Sequence, residues 1–202
     1  MKNKIDKLFL FDIDGVLNKS EYFTIQFERD FEINSELFSH FFNTEFEEIL
    51  RGKVRIEEIL PKYFEEWDWQ KSVDEFLAYW FANDIRIDEE LVCIIEAIQA
   101  DNHKIGIASH QEFRRKNYLL QNKGLNEIFD INFFSCDSGF LKTENEFYLN
   151  IKKEFDGEIY FWDDTLEVVN VANRNGLKAF HYINNLQFKN QISAILNSEN
   201  EF

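Results

Sequence analysis

The stretch Leu8-Phe9-Leu10-Phe11-Asp12-Ile13-Asp14-Gly15-Val16 decides how the chain is read. An apolar run ends abruptly in two carboxylates spaced i, i+2, followed by a glycine. Carboxylates beside an apolar core are costly unless something neutralises them, and a bound cation does this well. If the run is a buried strand, Asp12 falls at its carboxyl end, where open α/β sheets bind their ligands. Alone, the stretch fits an ordinary strand with an Asp-Gly turn equally well, so the rest of the chain must decide.

Working outward, residues 18–87 contain no strand-like run bounded by turns. They read as short amphipathic helices rich in Phe, Glu and Trp, over 45–50, 56–67 and 70–81. Pro61 predicts a kink or break in the second. Between the first two lies Arg51-Gly52-Lys53-Val54-Arg55, cationic in an otherwise acidic segment. A basic helix C-terminus accounts for it; so does a loop in which Arg51 and Lys53 meet an anionic substrate.

From Asp88 onward helices and strands alternate. Asp88 reads as an N-cap for a helix with Leu91, Ile94, Ile95 and Ile98 on one face. Strands follow at 104–108, 131–135, 158–162 and 178–182, with helices at 111–123, 144–155, 165–175 and 186–196. Such alternation implies right-handed βαβ crossovers and a doubly wound parallel sheet. The predicted fold is therefore one α/β Rossmann-like core, residues 1–17 with 88–202, interrupted by a helical insert at 18–87.

Composition narrows the function classes. A 45% hydrophobic fraction with 23 Phe and 4 Trp supplies a core for most of the chain. The net charge of −16 repels nucleic acid and anionic membrane surfaces. No apolar run is long enough to span a bilayer and the first residues carry no secretory pattern, so a cytoplasmic protein is expected. Two cysteines are too few for a disulfide framework or a cysteine-rich zinc site. Cys93, within Leu91-Val92-Cys93-Ile94-Ile95, is expected to be a buried thiol.

Polar groups collect at the predicted strand ends. These are Asp12 and Asp14, Ser109 and His110, Lys142 in the loop after the third strand, and Asp163 and Asp164. In a parallel sheet all these ends share one edge. Carboxylates with one lysine and one hydroxyl make sense if a divalent cation and a phosphate share the site, and Mg²⁺ needs only a few protein oxygens.

In this order the motifs resemble the haloacid dehalogenase superfamily, in its phosphatase branch with a helical cap inserted after the first motif. Asp12-Ile13-Asp14-Gly15-Val16 matches the first motif and Ser109 the second. Lys142, in Leu141-Lys142-Thr143-Glu144, matches the third, and Phe161-Trp162-Asp163-Asp164-Thr165 the fourth. The branch with sugar-phosphate phosphatases and the phosphatase domain of soluble epoxide hydrolase is the most similar. Two positions depart from the pattern: His110 replaces a small polar residue, and Thr143 follows the lysine in place of proline.

The resemblance implies hydrolysis of a small phosphorylated metabolite by a monomer or homodimer. Asp12 would be the nucleophile, and Asp14, its carboxyl left free, the proton donor and then acceptor. Mg²⁺ would be held by Asp12, the Asp14 carbonyl and Asp164, with Asp163 orienting a bound water. Ser109, the amide of His110 and Lys142 would hold the phosphoryl oxygens, and the His110 ring would add a proton-dependent contact or narrow the pocket. A phosphomutase and a 2-haloacid dehalogenase are the alternatives within the superfamily, although the dehalogenase reaction requires neither a metal nor an acid at Asp14. Outside it stand a receiver domain phosphorylated at Asp137, which leaves 18–87 and Asp163-Asp164 without a role, and a catalytically silent binding protein.

Overall fold

The computed structural model describes residues 7–100 and 103–197. Residues 1–6, expected to lead directly into the first strand, lie outside the described residues. Five strands form one all-parallel sheet: β1 (Lys7–Phe11), β2 (Lys104–Ser109), β3 (Ile131–Phe134), β4 (Glu158–Asp163) and β5 (Lys178–His181), in the order β3-β2-β1-β4-β5. β1 is central, which is why all five of its residues are buried. Its alternation serves both faces. Leu8 and Leu10 pack with the helices Asn145–Glu154 and Leu166–Arg174, whereas Phe9 and Phe11 pack with Tyr160, Trp162 and the helices Glu89–Ala100 and Asn185–Asn197. This is the α/β doubly wound architecture read from the sequence.

Boundaries follow local chemistry. Asp88 caps its helix, its Oδ1 accepting the Leu91 N–H at 3.1 Å. Between β1 and β2 every helix precedes the sheet's return. The helix Ile56–Ile59 passes at Leu60 into a 3₁₀ turn, the break expected at Pro61. Val73–Asn83 opens with a capping box between Ser72 and Glu75. One expected helix is irregular: the segment after β2 runs as Phe113–Asn117 and continues as a π-type turn, Tyr118–Asn122, ending before Gly124. Cys93 is exposed, contrary to expectation. Leu91, Ile95 and Ile98 face inward, and a residue two positions beyond Leu91 falls on the opposite side of the helix.

Aromatic rings fill the helical insert. Phe76 is fully buried and packs against Phe23, Phe27, Phe64, Trp67, Trp69 and Trp80. This cluster is continuous with the Phe9 and Phe11 face of the sheet. Among the described residues no helix is long and apolar enough to cross a membrane.

Phe76→Ala removes a buried ring and should cost about 3–5 kcal/mol. Because the core is continuous, urea unfolding of the variant should remain a single transition at a lower midpoint. Two separated transitions would show that the insert melts by itself.

Candidate active site

The register of the sheet builds the site. β1 and β4 pair through Phe11 and Trp162, and the Asp12 N–H donates to the Trp162 carbonyl at 3.0 Å. Asp12 and Asp163 are therefore the next pair along neighbouring strands and project the same way. Lys142 answers both: its Nζ lies 2.6 Å from Asp12 Oδ2 and 2.7 Å from Asp163 Oδ2, with all three side chains almost fully buried. Burial and the charge of Asp163 raise the Asp12 pKa to about 7 despite the lysine, whose own pKa is pushed up, against the effect of burial, by its two carboxylates.

Asp164 completes the acidic group. One carboxylate oxygen each from Asp12, Asp163 and Asp164 lie within 4.8 Å of one another. Space for Asp164 comes from Gly15, which has φ +80° and where a Cβ would sit 1.9 Å from Asp164 Oδ2. Three carboxylates facing one ammonium leave two negative charges, which a divalent cation would balance. Both oxygens of Asp163 already have donors, Lys142 Nζ and the Thr165 N–H. Asp12 Oδ1 is buried with no partner among the described residues. The donor set thus fits an oxygen-loving cation that Asp12 and Asp164 would touch and Asp163 would help to orient.

The loop carrying Lys142 is held at its backbone. The Lys142 N–H donates to His110 Nε2 at 2.5 Å, and Tyr148 Oη donates to the Lys142 carbonyl at 2.7 Å. This corrects the expectation of a proton-dependent His110 contact. Burial, with the charges of Lys142 and Arg51, depresses the His110 pKa to about 2, so the ring stays neutral and serves as an acceptor for the loop. Here a histidine and a tyrosine fix the lysine that Thr143 does not.

Asp14 is also placed otherwise than expected. Its carboxylate is not free: Arg115 forks onto it, Nη1 to Oδ2 at 2.8 Å and Nη2 to Oδ1 at 2.7 Å, and Gln111 Nε2 and Asn18 Nδ2 donate at 2.9 and 3.0 Å. Partial desolvation raises the Asp14 pKa, its side chain being half exposed, but Arg115 and these donors outweigh it and hold it at about 2. Ser109 is buried, its Oγ accepting from Gln111 Nε2 at 3.2 Å.

Arg51 and Lys53 are not free cations. Arg51 pairs with Glu47 at 2.9 Å and with Glu144 at 2.5 Å, the latter two residues beyond Lys142, while exposed Lys53 pairs with Glu48 at 3.0 Å. Glu144 Oε2 also accepts the Leu141 N–H at 2.8 Å, so Arg51 touches the lysine loop rather than the acidic group. Gly52 (φ +69°) sits where a Cβ would come 2.3 Å from the Cys136 carbonyl, which brings this loop close to the core.

Gln111, Arg115 and Asp84 were not singled out from the sequence. Arg115 stands in Arg114-Arg115-Lys116, which reads as a solvated basic run. The available signal was its place four residues before buried Leu119, on the inward face of the same turn.

A family model described as haloacid dehalogenase-like hydrolase matches residues 7–176. No match is found among the curated proteins. Among solved structures, a protein of Porphyromonas gingivalis described as a predicted HAD-like family hydrolase is similar at a TM-score of 0.77 and 17% identity, over 96% of this chain and 98% of that one. A HAD family enzyme of Bacteroides thetaiotaomicron, in complex with magnesium and inorganic phosphate, gives 0.67 and 16%, over 88% and 93%. The L-2-haloacid dehalogenase of Xanthobacter autotrophicus, with chloropropionic acid covalently bound, gives 0.63 and 15%, over 87% and 76%. At these identities the likeness to each is one of fold.

Asp164→Asn removes a charged ligand and should weaken Mg²⁺ binding by more than the roughly 10–100-fold typical of losing an orienting partner, read by calorimetric titration, and Gly15→Ala should weaken it by displacing Asp164. Unchanged affinity in both variants would place the cation elsewhere.

Proposed function

The chain belongs to the haloacid dehalogenase-like hydrolases, and on that premise we propose that it hydrolyses small phosphomonoesters, with Mg²⁺ as cofactor and segment 18–87 as a cap over the site. The observation that carries this reading is the unpartnered, buried Asp12 Oδ1 beside the Lys142 ammonium and two further carboxylates. The presence of magnesium and inorganic phosphate in the Bacteroides enzyme's structure supports the same choice of ion and ligand.

Bound among these carboxylates, Mg²⁺ would supply positive charge to the phosphoryl oxygens. One carboxylate oxygen of Asp12 attacks phosphorus while the other stays free to face the cation, the bond to the leaving oxygen breaks, and an aspartyl-phosphate forms. Lys142, Ser109 and the His110 amide hold the phosphoryl oxygens and offset the charge that develops on them. Water then attacks phosphorus, inorganic phosphate leaves and the Asp12 carboxylate returns. Asp14 serves the leaving oxygen and the attacking water in turn. The proton passes from Asp14 to the leaving oxygen and is regained from the attacking water, so Asp14 enters each turnover protonated, and Arg115 favours the carboxylate that accepts in the second step.

A 2-haloacid dehalogenase displaces halide without a metal, so it gives the Asp164 carboxylate no ion to hold and needs no acid at Asp14. The acidic group therefore favours phosphoryl chemistry. Transfer to a sugar hydroxyl in place of water, as in a mutase, would use the same aspartyl-phosphate.

With Mg²⁺ the protein should hydrolyse an aryl phosphate, and chelation should stop turnover. Asp12→Asn should lower kcat by a factor on the order of 10⁴ or more with unchanged circular dichroism. Turnover retained in that variant would remove Asp12 as nucleophile, and halide release from 2-chloropropionate without Mg²⁺ would favour the dehalogenase. A second test concerns the cap loop. Arg51→Ala with Lys53→Ala should raise KM for a phosphorylated metabolite found by substrate screening more than for the aryl phosphate. Equal effects would show that the loop acts only through Glu144 and the lysine loop.

A further inference from the structure

Two segments carry the chain out of β1 into the helical insert and back again, and they are tied to one another. Lys19 N–H donates to the Arg86 carbonyl at 3.0 Å, Asp88 N–H to the Leu17 carbonyl at 2.8 Å, and Arg86 N–H to Asn18 Oδ1 at 2.8 Å. Every covalent path between the sheet and the insert runs through this pair of segments. Asn18 Nδ2 reaches the Asp84 carbonyl at 2.7 Å and Asp14 Oδ1 at 3.0 Å.

Arg115 closes these contacts into a ring. Its guanidinium forks onto Asp14, and Nη2 also lies 3.0 Å from Asp84 Oδ2, which accepts the Trp80 Nε1–H at 3.2 Å. The sequence of contacts Arg115–Asp14–Asn18–Asp84–Arg115 thus returns to its start. One carboxylate of the proposed chemistry and one residue from each connecting segment are its members. Gln111 braces the ring from the core, its Oε1 accepting from Arg115 Nη1 at 2.6 Å while its Nε2 reaches Asp14 and Ser109.

Burial indicates that the fork does more than compensate charge. The Arg115 side chain is 6% exposed, whereas that of Asp14 is 49% exposed. A half-exposed carboxylate does not need a buried guanidinium to be tolerated, but a planar fork fixes its direction in a way water does not.

We infer that Arg115 is a positioning residue that fixes the Asp14 carboxylate to both connecting segments, so that the placement of Asp14 and the orientation of the insert are set together. A displacement of either segment moves Asn18 or Asp84 and is felt at Asp14. Rotation of Asp14 is felt equally at residues 84–88, none of which it touches in the hydrogen-bond ring except through Asn18 and Arg115. The catalytic part of this inference rests on the phosphohydrolase reading; the mechanical part does not.

Three variants test it. Arg115→Lys keeps the charge and loses the fork, Asp84→Asn leaves the Asp14 fork intact and weakens its tie to the insert, and Asp14→Asn loosens the ring from the active-site side. In hydrogen exchange, Asp14→Asn should speed the amides of 84–88, and Arg115→Lys those of both 16–20 and 84–88. In steady-state kinetics on the aryl phosphate with Mg²⁺, Arg115→Lys and Asp84→Asn should lower kcat about tenfold or more with KM shifted far less, the signature of a misplaced group. If Arg115→Lys proves too unstable to purify, Asp84→Asn and Asp14→Asn carry the test. Wild-type exchange in Asp14→Asn together with wild-type kcat in Asp84→Asn would overturn the coupling. No turnover by the wild-type protein would overturn the phosphohydrolase reading alone, and exchange would then decide the coupling.

Discussion

The position of one ammonium governs the rest of the site. β1 and β4 are buried strands that end side by side in carboxylates, an arrangement that would be destabilised by repulsion and desolvation if left bare. Lys142 is placed between Asp12 and Asp163 at hydrogen-bond distance from both, and the chain invests two side chains, His110 and Tyr148, in holding its backbone there. The compensation is deliberately incomplete in electrostatic terms. One positive charge among three carboxylates leaves an oxygen of Asp12 without a partner among the described residues, and that deficit makes the site receptive to a divalent cation.

A second charge system stands beside the first and is built differently. Asp14 is only two residues from Asp12, yet its neutralising partner is a guanidinium with directional donors, and its pKa moves down where that of Asp12 moves up. Adjacent carboxylates are thereby driven to different protonation behaviour by their surroundings. The lysine set is built from the sheet, its loops and the helix that carries Tyr148, and segment 18–87 reaches it only at Glu144 through Arg51, whereas the arginine set includes Asn18 and Asp84 themselves. The two aspartates therefore answer to different parts of the molecule.

The architecture and the acidic group were legible because both depend on local patterns. Apolar runs ended by polar residues mark the strands, and a parallel sheet brings their ends to one edge whatever the intervening chain does. Asp12, Ser109, Lys142, Asp163 and Asp164 were found in this way. The Arg115 contacts were not, because Asp14 and Arg115 are 101 positions apart and a guanidinium within a basic run carries no mark of its partner. His110 illustrates an intermediate case: its departure from the family pattern was visible, but only the fold shows that its ring accepts a backbone N–H. Cys93 shows the converse: its run is apolar, but the helical period puts it on the outer face, and the period decides.

The insert shares its packing with the sheet. Phe81 lies against Tyr118, with ring centroids 5.4 Å apart, Arg55 covers the ring of Phe113, and Gly52 backs onto the Cys136 carbonyl without room for a side chain. These partners lie on opposite sides of the boundary between residues 18–87 and the remainder. The segment is thus a poor candidate for transplantation: a foreign insert on this sheet would need rings complementary to Tyr118 and Phe113 and a glycine facing Cys136. The boundary at residues 18 and 87 is therefore covalent only, and in packing the two parts are fitted to one another ring by ring.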